Sequence, residues 1–194
     1  AEILKNYDDE RIKYFYAPKH TLLYEARNFA INEAAGDYFA FLDVDDWWEP
    51  KKLEKQIPLF NESDIGLVYG NYWFVNEKKK TKKKLAYKKK LPTGFILDEL
   101  LNQYVVGLLT LVVSRQVLID ETDLFNSKYH VIGDYDCVIC LAVKWKISCI
   151  QQPLANYRWH EDNETYKNQQ LHIAEHESWY KTMQNHAIIS RNHS

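Results

Sequence analysis

The stretch of sequence that decides the fold is Tyr38-Phe39-Ala40-Phe41-Leu42-Asp43-Val44-Asp45-Asp46-Trp47-Trp48-Glu49-Pro50. Its first five residues are apolar, which predicts a strand buried on both faces, like the central strands of parallel sheets. Ligand sites in such sheets lie at the carboxyl ends of the strands. The sequence therefore predicts a functional site at the acidic turn, residues 43–46.

Three carboxylates crowd this turn, and they repel one another unless a cation joins them. A hard divalent metal with oxygen ligands is the usual cation, and a metal held there can grip a diphosphate. The alternative interpretation is that the turn caps a helix beginning at Pro50, because Asp favours the N-cap and Pro the first helical position. Asp46 is the residue that this alternative suits best.

Length and composition predict one compact α/β domain, since 194 residues suit a single hydrophobic core. Three cysteines disfavour a disulfide scaffold and favour a reducing, cytoplasmic compartment. The longest apolar stretch, residues 104–113, is too short to cross a bilayer. We therefore expect a soluble protein.

The charge is unevenly distributed along the chain. The run from Lys78 to Lys90 (KKKTKKKLAYKKK) holds nine of the 25 Lys and Arg residues and none of the 27 Asp and Glu residues. One interpretation is a solvated hairpin between two strands. The other is a contact with a phosphorylated acceptor or with anionic lipid, which would place the protein peripherally at the inner face of the membrane. Nucleic acid is not expected, because stacking aromatics do not alternate with the lysines beyond Tyr87.

The hydrophobic pattern predicts alternating strands and helices. Strands are expected at 11–17, 38–42, 66–75, 109–114 and 147–158. Helices are expected at 21–35, from Pro50 to about Pro58, at 95–102, at 134–145 and at 166–185.

Several segments together resemble a known family. They are Ala26-Arg27-Asn28-Phe29-Ala30-Ile31, residues 35–46, Trp48-Glu49-Pro50 with residues 52–56, Gly133-Asp134-Tyr135-Asp136, and Tyr157-Arg158-Trp159-His160 followed by Asn163 and Thr165. Their types and order closely resemble family 2 glycosyltransferases of the GT-A fold. The resemblance implies a Rossmann-like, three-layer α/β fold with a mostly parallel central sheet. It places the catalytic domain at residues 1–165 and a helical extension at 166–194.

The resemblance also implies an activity, the transfer of a sugar from a nucleotide-sugar donor to the hydroxyl of a saccharide or lipid-linked acceptor. Inversion at the anomeric carbon and a place in cell-envelope polysaccharide synthesis are expected with it. A divalent metal, Mn²⁺ or Mg²⁺, would stabilise the leaving nucleoside diphosphate. Asp45 is the expected metal ligand, and Asp43 is expected to contact the donor ribose or a metal-bound water. His160 is a candidate second ligand, since imidazole supports Mn²⁺, and a structural histidine is its alternative.

Inversion needs a general base, because the acceptor hydroxyl loses its proton as it attacks. By motif position Asp134 is the expected base. The family commonly has Glu before this Asp, whereas this chain has Gly133. Asp136 therefore stays an alternative base, and either carboxylate could instead favour the start of a helix through its dipole.

Two further residues are expected at the donor. Arg27 matches the arginine of the family's Ala-Arg-Asn motif, which reaches toward the nucleotide or its phosphates. Its alternative is a surface ion pair with Glu25 or Asp37. Trp48 matches a position where an indole can pack on a sugar ring, and packing in the core is its alternative.

Two other functions compete with sugar transfer. An apolar strand followed by Asp-x-Asp also begins haloacid-dehalogenase-like phosphohydrolases, with the first Asp as nucleophile. Those enzymes normally have Thr or Val where this chain has Trp47. The other competitor is a non-catalytic remnant that binds a polyanion or a membrane through its lysines.

The first residues suggest that the catalytic domain is N-terminally incomplete. Family members usually open with two strands that hold the nucleotide base, whereas Ala1 to Asn6 look like the helix that follows them. The two strands would belong beside residues 38–42, and unpaired central strands would leave backbone groups unsatisfied. We therefore expect this segment alone to bind nucleotide poorly.

Overall fold

A computed structural model describes residues 6–17, 19–76, 83–118, 123–161, 163 and 167–184. The helices are α1 (Leu23–Glu33), α2 (Lys52–Gln56), α3 (Leu97–Asn102), α4 (Gly133–Ala142) and α5 (Gln169–Met183). The strands are β1 (Tyr38–Ala40), β2 (Trp47–Trp48), β3 (Ile65–Asn76), β4 (Lys83–Leu85), β5 (Val112–Ser114) and β6 (Lys146–Trp159). The alternation of strands and helices predicted from residue 21 onward is therefore confirmed.

The N-terminal prediction fares less well. Residues 12–17 form no regular secondary structure, so the strand expected at 11–17 is wrong. Their side chains are exposed. Aromatic residues such as Tyr14 and Tyr16 are common in strands, so they produced a strand-like sequence pattern here although this segment pairs with none of the described strands. The helix expected at the chain start lies largely outside the described residues.

The sheet is mixed, with the strand order β1-β5-β3-β6-β2 and β4 paired to β3. Among the described strands, β3 and β6 pair in parallel and the other four pairs are antiparallel. The expected mostly parallel sheet is therefore corrected. Strands β1, β3 and β6 do run in one direction, but β5 runs against them between β1 and β3. An apolar run indicates burial and not direction, so the sequence did not reveal this insertion.

Strand β1 is not buried on both faces, contrary to the prediction. Tyr38 is 36% exposed whereas Phe39 is 5% exposed. Within the described residues β1 pairs with β5 alone and lies at an edge of the sheet. The pairing of further strands beside β1 stays a prediction.

The main core lies between the sheet and four helices. Leu67 and Tyr69 of β3 and Val113 of β5 pack there, together with side chains from α1, α3, α4 and α5. A smaller cluster of Tyr72, Leu109 and Ala155 forms separately, with Trp48 packed against it. Helix α2 contacts β6, and its Gln56 donates from Nε2 to the carbonyl oxygens of Val68 (3.1 Å) and Thr110 (2.8 Å).

One local prediction is confirmed by the helix geometry, and a second is confirmed in part by the pairing of β3 with β4. Helix α2 passes into a 3₁₀ turn at Ile57–Leu59, as expected from Pro58, which lacks the N–H that an α-helix needs. Strand β4 pairs antiparallel with β3, so residues 83–85 of the lysine run belong to a hairpin. None of the described helices combines the length and the apolar character that a membrane span requires.

Candidate active site

The acidic turn is held in place by β6. Strand β2 follows the turn directly and pairs antiparallel with β6, joining Trp47 to Asn156. Asp46 Oδ1 accepts the backbone N–H of Arg158 at 2.9 Å. Asp46 therefore ties the turn to β6 and does not cap α2, whose N-cap residue is Lys51. The capping interpretation of Asp46 is wrong. Residues 47–50, which include strand β2, lie between Asp46 and the N-cap residue of α2.

The carboxylates of the turn repel one another, as the sequence predicted. The pKa of Asp46 is raised to about 6, first by burial and then by the negative charges of Asp45 and Asp43. The N–H of Arg158 opposes this rise. The turn is therefore a place where added positive charge would be stabilising.

Asp43 is paired with Arg27 of α1. Arg27 Nη2 lies 2.6 Å from Asp43 Oδ1, and the arginine side chain is 12% exposed. The guanidinium also lies over the rings of Tyr24 (5.4 Å) and Phe125 (5.9 Å). The ion pair with Glu25 or Asp37 that competed with the donor role is therefore not the one formed. Arg27 instead brings α1 to the acidic turn.

Asp45 meets His160 from the end of β6. His160 Nε2 lies 2.9 Å from Asp45 Oδ2. Asn163 fixes the backbone around His160, since its Oδ1 accepts the His160 N–H at 2.7 Å and its Nδ2 donates to the Arg158 carbonyl at 3.2 Å. The structure thus brings together the two side chains predicted to ligate a metal. Thr165, from the same motif, lies outside the described residues.

The donor set of this pair suits some metal sites and not others. Within the described residues, no three His, Cys, Asp or Glu side chains converge in a metal-binding group. A closed structural site is therefore not formed by them. One carboxylate and one imidazole fit an ion that completes its shell with water and substrate phosphate, as catalytic Mg²⁺ and Mn²⁺ commonly do.

Asp134 lies in the first turn of α4 and faces α1. Its Oδ1 is 3.3 Å from the hydroxyl of Tyr24, which also lies 2.9 Å from the Val131 carbonyl oxygen. Burial raises the pKa of Asp134, while the Tyr135 N–H, the Arg27 charge and the Tyr24 hydroxyl lower it. A carboxylate with a raised pKa is a stronger proton acceptor, which suits a general base.

The glycine that departs from the family pattern has a steric explanation. A Cβ atom built on Gly133 would lie 2.6 Å from the ring of Tyr24. The absence of a side chain at Gly133 therefore lets the Tyr24 ring pack on the start of α4. That packing brings the tyrosine hydroxyl to Asp134.

Asp136 points in a different direction from Asp134. It is 8% exposed, and its Oδ1 accepts the indole N–H of Trp179 in α5 at 2.7 Å. Burial raises the pKa of Asp136, and the bond from Trp179 lowers it. Asp136 therefore joins α4 to α5, whereas Asp134 faces α1 and the arginine.

Helix α5 also supports the chain just before α4. Glu175 is 8% exposed and accepts the backbone N–H groups of His130 (2.7 Å), Val131 (2.9 Å) and Ile132 (3.1 Å). Glu175 and Trp179 lie one helical turn apart on the same face of α5. This face therefore contacts the chain both before Asp134, at residues 130–132, and after it, at Asp136. The C-terminal helix is thus part of the support of the candidate base.

Trp48 packs into the molecule. Its indole N–H donates to the Leu109 carbonyl at 2.9 Å, and it packs against the smaller apolar cluster. Lys52 of α2 places its Nζ 4.5 Å from the indole centroid. These contacts support the core-packing alternative for Trp48.

Sequence reasoning missed four supporting side chains: Tyr24, Lys52, Asn163 as a clamp on His160, and Glu175. The contact of Tyr24 could have been suspected from Gly133, because a glycine at a motif position leaves space in which another side chain can pack. Lys52 and Glu175 are charged residues in polar helices, and nothing in their sequence context distinguishes them from surface residues.

Comparison with known proteins bears on the family and the fold of the chain. Residues 1–114 match the family described as Glycosyl transferase family 2. The chain is 38% identical over 93 residues to the UDP-Glc:alpha-D-GlcNAc-diphosphoundecaprenol beta-1,3-glucosyltransferase WfgD of Escherichia coli, covering 48% of this chain and 35% of that protein. It is 32% identical over 117 residues to the putative teichuronic acid biosynthesis glycosyltransferase TuaG of Bacillus subtilis, covering 59% and 45%. The chain spans less than half the length of either relative.

The fold is shared with a solved protein. The crystal structure of S. aureus TarS 1–349 in complex with UDP superposes with a TM-score of 0.54 at 15% identity, covering 71% of this chain and 40% of that one. Such a low identity bears on the fold, which is the GT-A fold that the sequence predicted. Since the family match covers more than half of the residues, the chain belongs to glycosyltransferase family 2.

Proposed function

We propose that this chain carries the catalytic centre of a metal-dependent, inverting glycosyltransferase that acts in cell-envelope polysaccharide synthesis. The observation that carries the proposal is the position of Arg27 between two acidic sites. Its guanidinium pairs with Asp43 of the acidic turn and lies over the ring of Tyr24, whose hydroxyl contacts Asp134. A donor held at the turn would therefore stand next to the candidate base.

The donor is a nucleotide sugar bound at the acidic turn. Asp45 and His160 would hold a divalent cation, and Asp43 would contact the ribose or a water on that cation. When bound, the cation supplies positive charge against the diphosphate. Arg27 is placed to contact the same phosphates, since its fork geometry suits bidentate contact with phosphate oxygens. The named substrates of WfgD and the UDP complex of TarS make UDP-sugars the first donors to test.

Asp134 takes the proton of the acceptor hydroxyl in the transfer step. The acceptor oxygen forms a bond to the anomeric carbon as the bond from that carbon to the diphosphate oxygen breaks. The electron pair leaves with the nucleoside diphosphate, and attack from the opposite face inverts the anomeric configuration. Tyr24, Arg27 and the Tyr135 N–H hold Asp134 for this role.

The competing functions make different demands on the chain. Membership of family 2 argues against the phosphohydrolase, which belongs to another fold family. A non-catalytic remnant would bind a polyanion without turning over a nucleotide sugar. A peripheral contact of the lysine run with anionic membrane is compatible with catalysis and stays a prediction, tested by salt-sensitive binding to anionic vesicles.

The experiment is a screen of nucleotide sugars on the natural protein, first for thermal stabilisation and then for transfer. A donor at 100 times its Kd raises the unfolding free energy by about 2.7 kcal/mol, or the Tm by roughly 5–10 °C. We expect this shift with Mn²⁺ and its loss with EDTA. Transfer from an α-linked donor is expected to give a β-linked product, read from the anomeric coupling by NMR. Stabilisation by no nucleotide sugar, or a donor bound without any turnover, contradicts the proposal.

A further inference from the structure

Two histidines of α5 lie next to each other on the side of the helix that packs against α4. His172 and His176 are four residues apart, so they occupy neighbouring turns on one face of α5. Both side chains are half-buried, and their ring centres are 4.7 Å apart. Neither histidine takes part in the proposed transfer reaction, so the pair needs an explanation of its own.

The distance between the two rings is one that a shared metal ion requires. Two imidazoles bound to one ion by bonds of about 2.0–2.1 Å, at an angle of roughly 90–110°, have their ring centres roughly 4.5–5.5 Å apart. The distance of 4.7 Å between His172 and His176 lies in that range. Zinc enzymes also present two imidazoles to one ion from helix positions i and i+4.

Tyr135 of α4 holds one of the two rings in place. Its ring centre lies 4.8 Å from that of His176 and 5.0 Å from that of Trp179, in edge-to-face contacts. The His176 ring is therefore packed between Tyr135 and His172. A ring that is fixed before the ion arrives lowers the entropic cost of binding.

The surroundings of His176 also favour the form of histidine that binds metal. Burial and then the neighbouring His172 lower the pKa of His176, and the charge of Glu175 opposes this decrease. Neutral imidazole is the ligand form, because a bound proton occupies the nitrogen that the metal needs. His176 is therefore mostly neutral, and able to bind metal, at pH 7.

We propose that His172 and His176 together bind one divalent transition-metal ion, and that Zn²⁺ is the first ion to test. Among the residues that the structure describes, no third His, Cys, Asp or Glu joins the pair, so water completes the shell of the ion. Imidazole suits Zn²⁺, Cu²⁺ and Ni²⁺, whereas Mg²⁺ prefers oxygen ligands. Such a site is independent of the proposed sugar transfer.

The role of this ion is to stabilise α5, and not to catalyse a reaction. Residues 172–176 read His-x-x-Glu-His, a pattern that one class of zinc enzymes carries on a helix, and glutamate is the general base in the related His-Glu-x-x-His helices. Here Glu175 is 8% exposed and its carboxylate accepts three backbone N–H groups from residues 130–132, so it is not available to a metal-bound water. An ion that binds only the folded helix raises its stability. The Zn²⁺ would thereby strengthen the support that Glu175 and Trp179 give to α4.

The test is a titration of the natural protein with ZnCl₂, followed by the NMR signals of its histidine rings. We expect the ring signals of His172 and His176 to shift together, and those of the exposed His20 to stay unchanged. MgCl₂ at the same concentration should shift neither ring of the pair. Zn²⁺ at about 100 times its Kd should raise the Tm by roughly 5–10 °C. The NMR measurement needs no variant, so it does not depend on whether a substituted chain folds.

Two variants then remove one ligand each, His172→Gln and His176→Gln. Each should raise the Kd of Zn²⁺, measured by calorimetry, at least about tenfold, because even partners outside the ligand set change metal affinity by that factor. Each should also abolish the rise of the Tm with Zn²⁺. His20→Gln is the matched control and should keep the parent's Kd and the parent's rise in Tm.

Several outcomes overturn the proposal. They are the absence of a shift in either ring, a shift in only one ring, and an unchanged Kd in either ligand variant. An equal response of the two rings to Mg²⁺ would show that the pair does not select a transition metal. A Zn²⁺ affinity that falls in His160→Gln but not in the two ligand variants would place the ion at the acidic turn instead of α5.

Discussion

The acidic turn and the start of α4 are both rich in carboxylates, yet the structure surrounds them differently. The turn meets basic side chains, because Arg27 binds Asp43 and His160 contacts Asp45. The start of α4 meets neutral donors, the hydroxyl of Tyr24 at Asp134 and the indole of Trp179 at Asp136. The first arrangement suits the binding of cations and diphosphate, and the second suits the holding of a proton.

The two regions also rest on buried charges of opposite kind. Behind α4, the carboxylate of Glu175 accepts three backbone N–H groups. Behind the turn, Lys52 is 1% exposed, and within the described residues its Nζ has no hydrogen-bond partner. A satisfied buried charge stabilises its neighbours, whereas an unsatisfied one costs free energy. We therefore expect Glu175 behind α4 to contribute more to the stability of the fold than Lys52 behind the acidic turn.

The largest expected effect is on the proton-accepting role of Asp134. Asp134→Asn should lower transfer by roughly two to four orders of magnitude, the usual range for a lost general base, while donor binding is retained. The measurement is kcat for transfer beside the Kd of the donor. Asp136→Asn is the matched control, because the amide can still accept the Trp179 N–H, and its kcat should fall by less than about tenfold.

The opposite pattern would reverse the assignment of these two carboxylates. Near-normal turnover in Asp134→Asn, beside an inactive and well-folded Asp136→Asn, would move the base to Asp136. The contrast between the faces of α4 would then have no catalytic meaning.

The second effect tests whether the acidic turn binds metal and diphosphate. Asp45→Ala should remove the Mn²⁺ dependence of nucleoside diphosphate binding and lower kcat by about 10²–10³, the usual loss for one electrostatic stabiliser. Asp37→Ala, which removes an exposed acid upstream of β1, is the control and should behave as the parent. If Asp45→Ala binds donor and Mn²⁺ as the parent does, Asp45 is not a ligand.

The third effect concerns the support of α4. Glu175→Gln places an amide nitrogen against backbone N–H groups and should lower the unfolding free energy by about 1–3 kcal/mol, the cost of unsatisfied buried donors. Roughly 2–4 °C of Tm corresponds to each kcal/mol in a domain of this size. Glu177→Gln on the exposed face of α5 is the control, with an expected change within about 0.5 kcal/mol. Equal Tm values for the two variants would remove Glu175 from the support of Asp134.

The smallest effect concerns Lys52 behind the turn. Burial lowers the pKa of Lys52 from 10.5 to about 7. Between pH 7 and pH 10.5 the unfolded chain therefore binds more protons at this residue than the native chain does. Lys52 therefore contributes a rise in stability as the pH increases from about 7 to 10.5, and it is most costly below pH 7. Lys52→Met should flatten this rise and increase the Tm at pH 6 by a few degrees, since the contact of Nζ with Trp48 offsets part of the cost.

The control for this pH profile is the neighbouring exposed lysine. Lys51→Met should leave the slope of Tm against pH unchanged, because the Lys51 side chain is exposed to solvent in the folded protein. A Lys52→Met variant with the parent's slope would show that Lys52 is charged and accommodated in the native state. The difference between the two buried supports would then disappear.

Much of the candidate site could be predicted because its residues lie in short segments with fixed spacing. The order of apolar run, acidic turn and Trp48-Glu49-Pro50 predicted the strand and the turn, and the motif at residues 157–160 predicted a partner for them. Local signals such as Pro58 also placed a helix end correctly. The type of fold and most helices and strands followed from periodicity in the same way.

What the sequence by itself determined about this protein is its alternation of strands and helices, its acidic turn and its family. The tertiary structure decided the antiparallel insertion of β5, the partners of each carboxylate and, among the described strands, the edge position of β1. It turned Asp134 toward Tyr24 and Asp136 toward Trp179, although only Tyr135 separates them. The physical reason is that periodicity and motif spacing act within a few residues, whereas strand direction and the burial of a charge depend on contacts between residues far apart in the chain.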